Sequence, residues 1–157
     1  KEHAAMVWWL TNLFWFHTGC DLLSGYFQVM PVLTDLYTHM NPAHANERWH
    51  PSRTPLDAGY ALELLIEVPL CAWMLVLCAR QDPGRHLFQA FALAVQMTGT
   101  VTYYLPGLVQ MEFNCWLSLM DRLCGSVWMI YPVLTLWDML AEIRNSQGDV
   151  KKAKKSS

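Results

Sequence analysis

Charge is scarce in this chain, and its scarcity narrows the class of protein. Of 157 residues, 15% are charged against 54% hydrophobic, and the formal net charge is −2. So near-neutral a net charge suggests no nucleic-acid or strongly acidic partner. The few charges sit in short patches between long apolar runs, which reads as membrane rather than soluble. Cysteine chemistry is missing as well: Cys20, Cys71, Cys78, Cys115 and Cys124 lie in apolar runs without metal-ligand spacing, and read as small buried residues rather than a disulfide framework. His39, His44 and His50 cluster in a polar stretch, but no Cys or carboxylate accompanies them at ligand spacing, so no metal is expected there and no cofactor is implied. No signal-peptide cleavage pattern is visible. The chain begins at Lys1 rather than Met, which leaves open one more helix ahead of it.

Apolar length is what the chain has in excess. Segments of roughly Ala4–Leu33, Ala58–Ala79, His86–Leu105 and Phe113–Leu140 each reach the ~20 residues an α-helix needs to cross ~30 Å of hydrocarbon. The expected fold is all-α, a polytopic transmembrane bundle of four helices. Residues 1–145 read as one domain and 146–157 as a basic tail. Pro31–Pro55, with four prolines plus Glu47, Arg48 and Arg53, reads as an ordered loop or cap between helices, a plain solvated connection being favoured over a lid, with Tyr37 and Trp49 placed as interface anchors.

Inside these spans sit polar groups that cost free energy to keep in hydrocarbon, and such groups ordinarily face a cavity. His17 and Asp21 share a face at i, i+4. Glu63 and Glu67 stand one turn apart, ahead of a kink expected at Pro69. Gln96, Gly99, Thr100 and Tyr103 make one stripe, a pattern that packing alone also explains. Asp121 lies on the order of 12 Å inside its span, too deep for a short side chain to escape, and shares a face with Gly125 and Trp128.

The tail Lys151, Lys152, Ala153, Lys154, Lys155 places the C-terminus in the cytosol by the positive-inside rule and looks like a dilysine retrieval signal of the endoplasmic reticulum. Four spans then put the Arg80–His86 turn in the cytosol. Asp21, Glu63, Glu67 and Asp121 all come to the lumenal half, where one shared cavity explains them together.

At this point the residues carry a family resemblance. ARQDPGRHLFQAFALAVQMTGTVTYYL, residues 79–105, with its Arg-Gln-x-Pro turn and Gln-x-x-Gly step, resembles the emopamil-binding protein (EXPERA) family, which includes sterol Δ8–Δ7 isomerase and the sigma-2 receptor. Pro69 with Trp73, and Trp128 followed by Pro132, keep the same register. The resemblance implies an acid/base pair at His17 and Asp21 and a cation-stabilising tryptophan at Trp128. The chain departs from the pattern at Tyr60, where the register asks for glutamate and Glu63 follows one turn later, and at Gly125, where it asks for asparagine and Asp121 precedes. A diverged member acting on another hydrophobic substrate is what these departures imply.

The chemistry of such a cavity stands without the family. Burial among apolar walls disfavours the charged form of a carboxylic acid, so it keeps a proton to donate at neutral pH. Protonating an alkene or epoxide creates carbocation character, which aromatic faces stabilise; Trp128, Tyr103, Trp15 and Phe16 are candidates. The expected activity is cofactor-independent isomerisation or cyclisation of a sterol-like, terpenoid or polyene substrate. His17, Asp21, Glu63 and Asp121 are the catalytic candidates, and Glu67, Gln96, Thr100, Tyr103, Trp128 and Tyr60 line the substrate. Rival readings are epoxide hydrolysis in the same cavity and a non-catalytic receptor for a sterol or an amine. The expected partners are a hydrophobic small molecule and the bilayer, with a homodimer left open.

Overall fold

The computed structural model describes residues 2–109 and 116–156, with side chains described for 3–105, 119 and 122–144. Among these residues the structure is all-helical, without strands. Helix α1 covers residues 2–26, α2 Pro31–Met40, α3 Thr54–Ala79, α4 Arg85–Val109, α5 Trp116–Gly125 and α6 Val127–Ser156. Two stretches, Thr54–Ala79 and Arg122–Arg144, are long and apolar enough to cross a membrane. Only 28% and 11% of their apolar windows are buried inside the protein, so most of that surface points outward instead of into a core. The other two segments read from the sequence as spans form the long helices α1 and α4.

Two helices depart from α geometry at the positions that carry charge. Asn12–Tyr26 of α1 is π-helical, and so is Glu63–Glu67 of α3. Side chains follow the wider turn: Thr18 Oγ1 donates to the Leu13 carbonyl and Ser24 Oγ to that of Gly19, each five residues back. Residues at i, i+5 therefore align, and Asn12, His17 and Leu22 all come to the buried side of α1. In α3 the widened turn ends directly before Pro69, which has no N–H to give and crowds the carbonyl four residues back. A π turn beside the proline accommodates both, in the place where the sequence predicts a kink.

Two apolar clusters hold α1, α3 and α4 together. Trp9, Cys71, Met74, Leu77, Cys78, Ala92 and Leu93 form one. Leu22, Leu56 and Tyr60 form the other, joined by Tyr26, Val68 and Tyr103. On each of the three helices, polar residues occur between the clusters: Asn12 and His17, Glu63 and Glu67, and Gln96. The polar level is thus closed off at both ends by apolar packing.

Pro31–Pro55 is not the plain connection the sequence suggested. Pro31 opens α2 at the first helical turn, where a missing N–H costs nothing. Asn41 caps a short turn, Pro42–Ala45, by accepting from the Ala43 N–H at 3.1 Å. The segment is then fastened by Arg53, 1% exposed, whose guanidinium donates to Asp57 Oδ1 and to the carbonyls of His44, Asn46 and Gly25. Asp57 Oδ2 in turn accepts the Trp49 N–H at 2.6 Å. Residues 31–53 form a folded cap over one end of the helices.

Candidate functional site

His17 is the centre of the polar level. It is 4% exposed, with Nε2 3.2 Å from Glu67 Oε2 and Nδ1 3.7 Å from Asp21 Oδ2. One ring nitrogen of His17, one oxygen of Asp21 and one oxygen of Glu63 lie within 4.8 Å of one another. Asp21 Oδ1 accepts the Tyr37 hydroxyl of the cap at 2.6 Å. Two atoms in this group, His17 Nδ1 and Glu63 Oε2, are buried and lack a hydrogen-bond partner among the described residues.

Behind His17 lies a network of amides and indoles. Trp128 Nε1 donates to Asn12 Oδ1 at 2.7 Å and Trp8 Nε1 to Gln96 Oε1 at 3.3 Å. An indole N–H is a donor only, so these two bonds fix which end of each amide is oxygen. The Gln96 amide nitrogen is left facing Asn12 Oδ1 at 3.2 Å and His17 Nε2 at 3.1 Å. Facing a donor, Nε2 carries the lone pair, and the imidazole proton is assigned to Nδ1, toward Asp21. Glu67 Oε2 approaches the same nitrogen at 3.2 Å.

The aromatic side is narrower than the sequence suggested. Phe16 stands edge-on to Trp128 at 4.5 Å between centroids, and Trp8 is tilted to Trp128 at 6.2 Å while stacking on Tyr131 at 3.9 Å. Trp15 is 57% exposed and faces away. Of the residues expected to line substrate, Glu67, Gln96 and Trp128 come to the His17 network, whereas Thr100 bonds back to its own helix at the Gln96 carbonyl. Tyr103 packs in the second apolar cluster, edge-on to Tyr104. Tyr60 lies under the cap, its hydroxyl 2.6 Å from His44 Nε2. Asp121 falls in α5, and its side chain lies outside the described residues. His39, His44 and His50 do not assemble as a ligand set among the described residues.

Sequence reading missed Asn12, Trp8, Tyr37, His44 and Arg53. Asn12 stands alone in WWLTNLFWF and is five residues before His17, a spacing that shares a face only in a π-helix. Tyr37, read as an interface anchor, instead turns its hydroxyl to Asp21, and burial followed by that carboxylate's charge pushes its ionisation above the usual phenol range. Arg53 and Asp57 at i, i+4 were the legible signal for the cap.

Two outcomes follow from this geometry. A Cβ at Gly99 would lie 2.8 Å from Glu67 Oε1, the far end of a flexible side chain. Gly99→Ala is therefore expected to leave the fold intact but push Glu67 off His17, lowering turnover by about 10²-fold, as a comparison of kcat with thermal unfolding checks. The second concerns the cap. His44 Nδ1 donates to the Asn41 carbonyl at 2.9 Å, leaving Nε2 to accept the Tyr60 hydroxyl. Burial holds His44 below the usual imidazole range, and the Arg53 charge acts in the same direction against the Asn41 bond. A histidine kept neutral by folding contributes stability above its unfolded pKa and loses it as pH falls through the folded value. The protection of residues 31–53 against hydrogen exchange, relative to the intrinsic rate at each pH, is expected to fall as pH drops below about 6.5, and His44→Gln is expected to remove that pH dependence.

No protein-family model, no curated protein and no solved structure matches this chain.

Proposed function

We propose that this chain is a multi-pass membrane protein of the endoplasmic reticulum, a diverged relative of the emopamil-binding (EXPERA) proteins. In this reading it isomerises or cyclises a hydrophobic terpenoid or sterol-like substrate by acid/base catalysis. The observation that carries the reading is the convergence of Glu63, Asp21 and His17 between two apolar clusters, with Trp128 joined to His17 through Asn12 and Gln96 and Phe16 standing edge-on to it. Four spans, a cytosolic C-terminus and a lumenal cap complete it, and the outward apolar faces of α3 and residues 122–144 support the membrane part.

Each group has a task. Glu63 is the acid, because its buried oxygen has no other partner. Asp21, held by the Tyr37 hydroxyl, is the carboxylate that removes the terminating proton. Glu63 gives a proton to the substrate, positive charge develops against the Trp128 face, and a neighbouring C–H pair or internal hydroxyl quenches it. The proton released goes to Asp21 and returns to Glu63 across a gap that His17 adjoins. Water takes no part in that balance.

Product mass tests this reading: the purified protein in lipid nanodiscs, given isoprenoid alkenes and epoxides, is expected to yield products of unchanged mass. A product heavier by one water makes the chain a hydrolase. Tight amine binding with no turnover of any isoprenoid makes it a receptor.

A further inference from the structure

The proposed chemistry leaves the polar character of the substrate open, and two buried atoms bear on it. His17 is more than nine-tenths buried, yet among the described residues Nδ1 has no hydrogen-bond partner and is directed toward Asp21 at the long distance of 3.7 Å. Glu63 Oε2, in the same group, is equally unpartnered. A buried polar group left unsatisfied is destabilising, and protein interiors rarely leave two in one cluster without a use.

Both are donors. The Trp8–Gln96–Asn12–Trp128 network puts the imidazole proton on Nδ1. Asp21 already accepts the Tyr37 hydroxyl, and in the acid/base reading Glu63 is the carboxyl that carries the proton. Two donors on one small volume call for an acceptor with two lone pairs. An alkene has none.

Resting on the acid/base reading above, we propose that Glu63 Oε2 and His17 Nδ1 form an oxygen-acceptor site, and that the substrate is an apolar isoprenoid bearing an epoxide. The epoxide oxygen accepts from both groups. As Glu63 transfers its proton, the C–O bond breaks and its electron pair stays on oxygen, which becomes a hydroxyl. The carbon left electron-poor is quenched by an internal C–H or C=C pair, and the displaced proton is taken by Asp21. Glu63 is then reprotonated from Asp21, so no co-reactant is consumed. His17 holds the oxygen without giving up its proton.

Binding of matched probes tests the proposal apart from turnover. Squalene with its terminal monoepoxide, and farnesyl acetate with its terminal epoxide, are titrated into the wild-type protein in nanodiscs and followed by tryptophan fluorescence. Each epoxide is expected to bind about tenfold more tightly than its parent alkene. The preference is expected to vanish in Glu63→Leu and weaken in His17→Phe. It is expected to persist in Glu63→Gln, whose amide still donates but transfers no proton. Equal affinity for epoxide and alkene in the wild type, or a preference retained in both Glu63→Leu and His17→Phe, would overturn the proposal. So would one equivalent of divalent metal in the purified protein, since the same atoms would then be its ligands. Alkene turnover without any epoxide preference leaves the acid/base reading standing and sinks the oxygen site; epoxide preference without turnover does the reverse.

Discussion

Glu63→Gln is expected to lower turnover by about 10²–10⁴-fold, the usual span of a lost general acid, with thermal stability unchanged or raised. The amide keeps the size of the carboxyl but has no transferable proton. Asp21→Asn is expected to fall in the same range, because it removes the base while still accepting from Tyr37. Full activity in both variants would remove the assignment. Glu67 is expected to behave differently, since it touches His17 and acts through it. Glu67→Gln keeps a polar side chain of the same size beside Nε2, so it is expected to retain most activity. Glu67→Leu is expected to lose activity and to move the His17 imidazole resonances seen by nitrogen NMR. A purely structural glutamate would instead show parallel losses of stability in both variants, with the tautomer unmoved.

The largest loss of stability is expected at Arg53. Its guanidinium is buried with Asp57 at 3.1 Å and ties three carbonyls from separate turns. Removing one partner of such a pair leaves a charge uncompensated and typically costs 3–5 kcal/mol. Arg53→Met is expected to release residues 31–53 first, read as rapid cleavage by trypsin after Arg48 in a protein whose helices remain intact. Arg53→Met with Asp57→Leu removes both charges and is expected to recover part of the loss. Protection at Arg48 unchanged in Arg53→Met would show that the cap is held by something else. Because Tyr37 reaches Asp21 from this cap, loss of the cap is also expected to reduce turnover.

How legible this was depended on the local geometry. The all-helical class was legible from apolar length, and so was the meeting of α1 with α3, because isolated carboxyls in apolar runs need partners; helix Pro31–Met40 and the division of the fourth segment between Gly125 and Val127 were not. His17 and Asp21 were found by assuming α periodicity and do lie close, at 3.7 Å. Asn12 was invisible for the same reason: nothing in the sequence announces a π segment, and under α periodicity residues 12 and 17 fall on different sides. Glu63 was favoured over Glu67 from the register of the resemblance and the nearness of Glu67 to Pro69, not from periodicity, and the positions of their oxygens were not legible. The choice turns on which oxygen faces His17 and which faces nothing, a matter of side-chain position. The cap was misread because its polarity matches that of a solvated loop, while its order comes from one buried arginine. Polarity reports composition, and Arg53 is polar but 1% exposed.

Imaging a substrate in place tests the central claim most directly. The protein is reconstituted as Glu63→Gln, which binds without turning over, loaded with the terminal epoxide of squalene, and its structure determined in nanodiscs. Elongated density is expected between α1, α3 and α4, with its oxygen end within hydrogen-bond distance of residue 63 and His17 Nδ1 and its chain along Trp128. Density confined to the cleft of about 210 Å³ lined by Arg85, His86 and Glu142, with the His17 cluster closed and empty, would contradict the account.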